Sequence, residues 1–160
     1  MDFRIRMMAL TMALLFNGAS VPWEMLRIPN GLQPAVCVDC RDLGKVDTKF
    51  GDKQMVLLIF ELQVTNEHSD RYLLQKRYTK FIHKKLNLRK DMERWRGQPF
   101  QKETLARGFN LEDVVDIPAV ICVEHRETDR GTCSHVESLL PAPDLQLQPS
   151  GKYEGVTETL

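Results

Sequence analysis

The sequence predicts a mainly β domain with a single helical insertion, and three observations carry that prediction. From Leu32 onward, apolar residues recur at every second position in runs bounded by Gly, Pro, Asn and Asp, the period of a strand with one buried face. That period changes once, where Leu88, Met92 and Trp95 stand at i, i+4 and i+7, the spacing of one helix face. The composition, 160 residues with 42% hydrophobic and 28% charged, is that of one soluble core with tails, large enough to hold together without metal or disulfide.

The elements follow in order. "PAVCVDCRDLG" predicts a first strand from about Ala35 to Leu43, closed by Gly44, and "KVDTKFGD" a polar loop. In "KQMVLLIFELQVT", the second strand, Val56, Leu58, Phe60, Leu62 and Val64 alternate onto a core face, and Met55, Leu57, Ile59, Glu61 and Gln63 onto the other. "NEHSD" is a turn, so a third strand, about Arg71 to Ile82, pairs back as a hairpin. It has no clean core face: Tyr72, Leu74, Lys76, Tyr78 and Lys80 share one side, and Leu73, Gln75, Arg77, Thr79 and Phe81 the other. A bulge partway would switch them. Asn87 then serves as N-cap of a helix that Trp95 anchors and Gly97 ends. After Pro99 come a helical piece over Lys102 to Arg107, a turn at Leu111 to Val115, and a last hairpin, "AVICVEHRETDRGTCSHVESLL", turning at Asp129 to Gly131.

The order strand, strand, strand, helix, strand, strand is that of the OB-fold, a partly open five-stranded Greek-key barrel, although other small α+β folds share it. The domain organisation is an extension at 1–31, an OB-fold-like domain at 32–141 and a flexible tail at 142–160, whose Pro, Gln and Thr content offers little to bury. In the extension, Arg4 and Arg6 precede an apolar run, Met7 to Phe16, and then Gly18-Ala19-Ser20, the layout of a secretory signal peptide. The run is too short to span a bilayer. An N-terminal helix and a start-site overreach, with Met25 as the true first residue, are the competing readings.

Charge is distributed unevenly. Lys and Arg number 22 and Asp and Glu 22, yet Arg71 to Gly97 holds ten basic residues against Asp91 and Glu93, so this stretch carries +8 and the rest of the chain −8. Such runs usually only solvate a surface. Here Tyr72, Tyr78 and Phe81 interleave with the charges, and a single-stranded nucleic acid asks for that combination: cations track its phosphates, and aromatic faces stack its bases at roughly 1 to 3 kcal/mol each. The candidate binding residues on this stretch are Tyr72, Lys76, Arg77, Tyr78, Lys80, Lys84 and Arg89. The loops that flank an OB-fold binding face add Lys45, Lys49, Phe50 and Lys53 in one and Arg126 and Arg130 in the other.

Other chemistries find less support. Cys37 and Cys40 form a C-x-x-C, Cys122 and His125 a C-x-x-H, with Cys133 and His135 on the partner strand, but residues three apart in a regular strand face opposite ways and buried thiols commonly act as small hydrophobes. No metal or other cofactor is expected. Acids such as Asp39, Asp42, Asp47, Glu124, Glu127 and Asp129 are not paired by any motif, and no phosphate loop or nucleophile elbow is present, so a non-catalytic protein is expected. An alternative is an interaction or accessory module, in which the apolar face of Met55, Leu57 and Ile59 packs on a second copy or a partner protein. A nuclease and a secreted protein with disulfides are the remaining readings.

The stretches "NLRKDMERWRGQPF" and "ETLARGFNLEDVVDIPAVICVEH" resemble a family of small bacteriophage and prophage proteins. Leu43-Gly44, Thr48 to Lys53, Lys76 to Thr79, Leu88 to Phe100 and Phe109 to His125 carry the resemblance, which spans about Leu32 to Pro141, with Trp95-Arg96-Gly97 as its most specific signature. The family implies an OB-fold protein of the replication and recombination module that binds single-stranded DNA in the host cytoplasm, with a phage recombinase or replication protein as partner, self-association left open and no membrane association. It also implies a start near Met25. One departure is Asp129-Arg130-Gly131 followed by Cys133, where relatives carry an Asn-Gly-Lys turn and an aromatic. The tail also lacks the acidic run that bacterial single-strand binding proteins end on.

Overall fold

A computed structural model describes residues 28–80, 87–128 and 131–153. Five strands, β1 (Gly31–Thr48), β2 (Gly51–Thr65), β3 (Arg71–Thr79), β4 (Pro118–Thr128) and β5 (Gly131–Leu140), form one antiparallel sheet in the order β3-β2-β1-β4-β5. Between β3 and β4 lie α1 (Asn87–Arg96), α2 (Lys102–Arg107) and a 3-10 turn, Leu111–Val114. The chain is thus mainly β with a helical insertion. The expected closure into a barrel is not made: no ladder joins β3 to β5 among the described residues. The two edges nevertheless approach beneath α1, which packs on both, and Lys76 Nζ on β3 lies 3.5 Å from the Glu137 carbonyl on β5.

The core fills the concave face. Val56, Leu58, Phe60 and Leu62 of β2 meet Ala35 and Cys37 of β1, Ile121 and Val123 of β4, and Val136 and Leu139 of β5. From α1 come Leu88, Met92 and Trp95, the helical spacing read in the sequence. Trp95 places its ring centroid 5.7 Å from that of Phe60 and donates from Nε1 to the Pro118 carbonyl at 2.8 Å, so its one polar atom is satisfied inside. Gly97, at φ 76°, closes the helix, its N–H donating to the Glu93 carbonyl at 3.0 Å. Ile28 also belongs to this core, and His125 Nε2 lies 2.6 Å from its carbonyl. The signal-peptide and start-site readings concern residues outside those described.

Several expectations need correction. β1 and β2 do not stop at a polar loop: their ladder runs from Ala35↔Leu62 to Thr48↔Gly51, leaving a two-residue turn at Lys49-Phe50. β3 keeps one inward face throughout, with Leu74 and Tyr78 in the core, and its only irregularity lies at the Glu61 to Thr65 side of the β2 pairing. Bulges lie instead in β1, where Val38 and Leu43 are skipped in the register, and in β5, where Glu137 is skipped. The first of them turns Cys37 and Cys40 onto the same side, Cys37 opposite Phe60 and Cys40 opposite Leu58, which a regular strand would forbid. Both are free thiols; burial pushes Cys37 up to about 12 and Cys40 up to about 11.

The second face of β2 is not a free docking surface. Met55, Leu57 and Ile59 are buried within the chain, so the interaction reading loses the apolar patch on which it stood. The segment after β5, expected to be flexible from residue 142, lies on this convex side through residue 153, with Leu147 buried and hydrogen bonds to β1, β2 and β3. No helix among the described residues is long and apolar enough to cross a membrane.

Candidate nucleic-acid interface

The register sets several of the basic residues against acids of the fold. Lys76 Nζ sits 2.7 Å from Asp91 Oδ2. Lys80 pairs with Asp42, whose carboxyl is held below its usual range by that contact and by the Gly44 N–H. Arg89 Nε donates to Glu93, which is lowered by the same bond. Arg126 Nη2 lies 2.8 Å from Glu137 Oε2. These cations answer acids of their own fold, which weakens their claim on phosphates. Lys84 and Arg130 lie outside the described residues.

The aromatic platforms on β3 are also overturned. Tyr78 is 2% exposed and donates its hydroxyl to Asp91 Oδ2 at 2.7 Å. Burial, then the nearby carboxylate, raise its pKa well above 10.0. Tyr72 packs against the same core, half-buried. The even-numbered side of β3 faces inward because Tyr78 and Leu74 stand opposite Val56 and Phe60, the core positions of β2. A trough built on the tyrosines therefore does not exist.

What the fold brings together is the β1–β2 arm and the convex face at its base. The β3 ladder on β2 ends at Met55, with the Lys80 N–H reaching the Gln54 carbonyl at 2.8 Å, and β4 pairs with β1 only up to Val36, so residues 45–53 form a two-stranded ribbon projecting from the sheet. At its turn Thr48 Oγ1 donates to the Gly51 carbonyl at 2.6 Å and accepts from the Phe50 N–H at 3.2 Å, while Gly51 takes φ 99°. This tight closure leaves Phe50 76% exposed, with the Nζ atoms of Lys49 and Lys53 at 5.2 and 5.6 Å from its ring centroid. Lys45 stands exposed on the same ribbon.

Lys53, Met55 and Leu57 share the convex side of β2, and opposite Leu57 stand Arg41 of β1 and Arg77 of β3. Arg77 makes no ion pair among the described residues. Arg41 was missed by sequence reasoning, because the bulge at Val38 breaks the parity by which its face would be counted. Arg41 and Arg77 thus flank Leu57 at the base of the arm, and Lys53, Lys49 and Phe50 stand toward its tip, while Asp47 and Asp52, paired with each other, fall on the opposite face. Among the described residues no three His, Cys, Asp or Glu side chains cluster as a metal site.

The chain matches no protein-family model, and no curated protein is significantly similar to it.

Proposed function

We propose that this chain is a non-catalytic, single-stranded DNA-binding protein of phage replication or recombination, built on an OB-like variant of the five-stranded sheet. The observation that carries the reading is Phe50: a large aromatic ring held in solvent at the tip of a ribbon, between two ammonium groups, with no core to fill. Stacking on such a ring is tolerant of base identity, and the flanking lysines suit the phosphates on either side of a stacked base. Arg77 and Arg41 add positive charge at the base of the arm. The strand order, the approach of β3 to β5 and the helix beneath them support the OB-like reading. The phage assignment, the cytoplasmic site of action and recombinase or replication partners rest on the resemblance of residues 88–125 and their surroundings.

The test is fluorescence anisotropy with single- and double-stranded oligonucleotides across a salt series, for the wild type and Phe50→Ala. Binding selective for single strands that weakens with salt, and that Phe50→Ala impairs, is expected. Equal affinity of the two proteins would remove the arm from the site, and no binding at low salt would end the reading.

A further inference from the structure

Residues 147–153 make an ordered set of contacts that the nucleic-acid reading does not use. The Gln148 carbonyl accepts from Arg71 Nη1 at 2.6 Å. Ser150 donates from its backbone N–H to Glu61 Oε1 at 2.8 Å and from Oγ to Glu61 Oε2 at 2.9 Å. Lys152 Nζ lies 2.9 Å from Asp70 Oδ1. The Tyr153 hydroxyl donates to Asp39 Oδ2 at 2.7 Å. Arg71 begins β3, Glu61 lies on β2 and Asp39 on β1, so the segment crosses three strands on the convex side.

The seat is built for donors. The Glu61 side chain is 3% exposed and takes three hydrogen bonds, one from Arg71 and two from Ser150. A buried carboxylate so placed is stable only while its donors are present. Asp39 and Asp70 add two further acceptors, one per incoming side chain. Three carboxylates in this arrangement repel a phosphate chain and fit a peptide that offers hydroxyl, ammonium and phenol groups at fixed spacing. The segment itself buries little apart from Leu147. Ordering each of its residues costs entropy comparable to what a charge-assisted hydrogen bond returns, which leaves its attachment near balance.

We propose that Asp39, Glu61, Asp70 and Arg71 form a peptide-docking site that reads a Ser-Gly-Lys-Tyr segment bent at Gly151, which takes φ 81°, and that residues 147–153 are its resident, exchangeable occupant. The site and the arm are separate surfaces, so this inference stands whether or not the chain binds DNA.

The experiment cuts the folded full chain at a protease site inserted after Pro143 and adds a fluorescein-labelled peptide of residues 145–160. Saturable uptake of the label, reversed by unlabelled peptide and weakened about tenfold by Ser150→Ala or Tyr153→Phe in the peptide, is expected. Uptake that ignores those substitutions, or none at all, overturns the proposal. In the uncut chain, Ser150→Ala should speed amide exchange of residues 147–153 while the sheet stays protected. Loss of protection in both together would make the segment part of the sheet's cooperative unit, against the proposal.

Discussion

The hydroxyl of Tyr78 on β3 and the carboxylate of Asp91 on α1 lie 2.7 Å apart inside the core, and Lys76 Nζ meets the same carboxylate oxygen at 2.7 Å. This contact ties β3 to the helix that closes the concave face, both within the most basic stretch of the chain. It also turns residues that look like a binding surface into interior structure.

Tyr78→Phe should therefore cost about 1 kcal/mol of stability, the net worth of one buried hydrogen bond, and leave DNA affinity unchanged. Urea denaturation and anisotropy on the same preparation check both halves. Asp91→Ala removes the acceptor and leaves the Lys76 ammonium half-buried without its partner, a loss of about 3 kcal/mol or more. A Tyr78→Phe protein of normal stability with weakened DNA binding would return this ring to the binding surface.

Stability should decline at alkaline pH. Tyr78 keeps its proton well above 10.0, and burial pushes the Cys37 thiol up to about 12 and Cys40 up to about 11 from 9.0. In the unfolded chain these groups ionise at their ordinary values, so above that range the native state binds more protons than the unfolded one and stability falls with rising pH. The urea midpoint should hold to about pH 8 and fall progressively from about pH 9 to 11, and Cys37→Ala should make that fall shallower. A midpoint that stays level to pH 11 contradicts the buried, protonated state of these groups.

On the arm, Phe50→Ala should leave the melting temperature unchanged, since the ring packs on no core residue, and weaken single-stranded DNA binding by about 1 to 3 kcal/mol. Replacing Lys49 and Lys53 together by Ala should lower the log-log salt slope by about 1.4, at about 0.7 per phosphate contact. Lys80→Ala, which loses only its pairing with Asp42, should leave that slope where it was.

At the end of α1, Gly97→Ala should destabilise by about 1 kcal/mol, because φ 76° suits glycine and strains a residue with a Cβ. The added Cβ would approach only the Pro141 Cβ, at 4.0 Å, so steric crowding contributes little. Thermal denaturation of the variant checks this, and a wild-type midpoint would mean that the helix end relaxes to another geometry.

Glu61→Ala should be the costliest of the convex-face changes, about 3 kcal/mol, because it strands Arg71 and both Ser150 donors at once. Glu61→Gln keeps the volume and an acceptor and should cost less. Chemical denaturation of the pair ranks them, and equal small effects would show that the seat carries no strain when its charge is gone.

Local periodicity was enough to place several of the elements. The alternation of Val56 to Leu62 marked the core face of β2, the spacing of Leu88, Met92 and Trp95 marked α1 and its anchor, and the short helical pieces after Pro99 fell where they were read. The tertiary fold settles which side of β3 is wet, because Lys76 stands between Leu74 and Tyr78 and its charge is answered by Asp91 on another element. It also decided the facing of Cys40 and Arg41, through the bulge at Val38, which no Gly or Pro announces. Above all it decided the partners: Lys80 finds Asp42 38 residues earlier, and Ser150 finds Glu61 89 residues earlier. Periodicity reports one side chain's relation to its own strand or helix, whereas charge pairing depends on the register between distant ones, which the chain acquires only on folding.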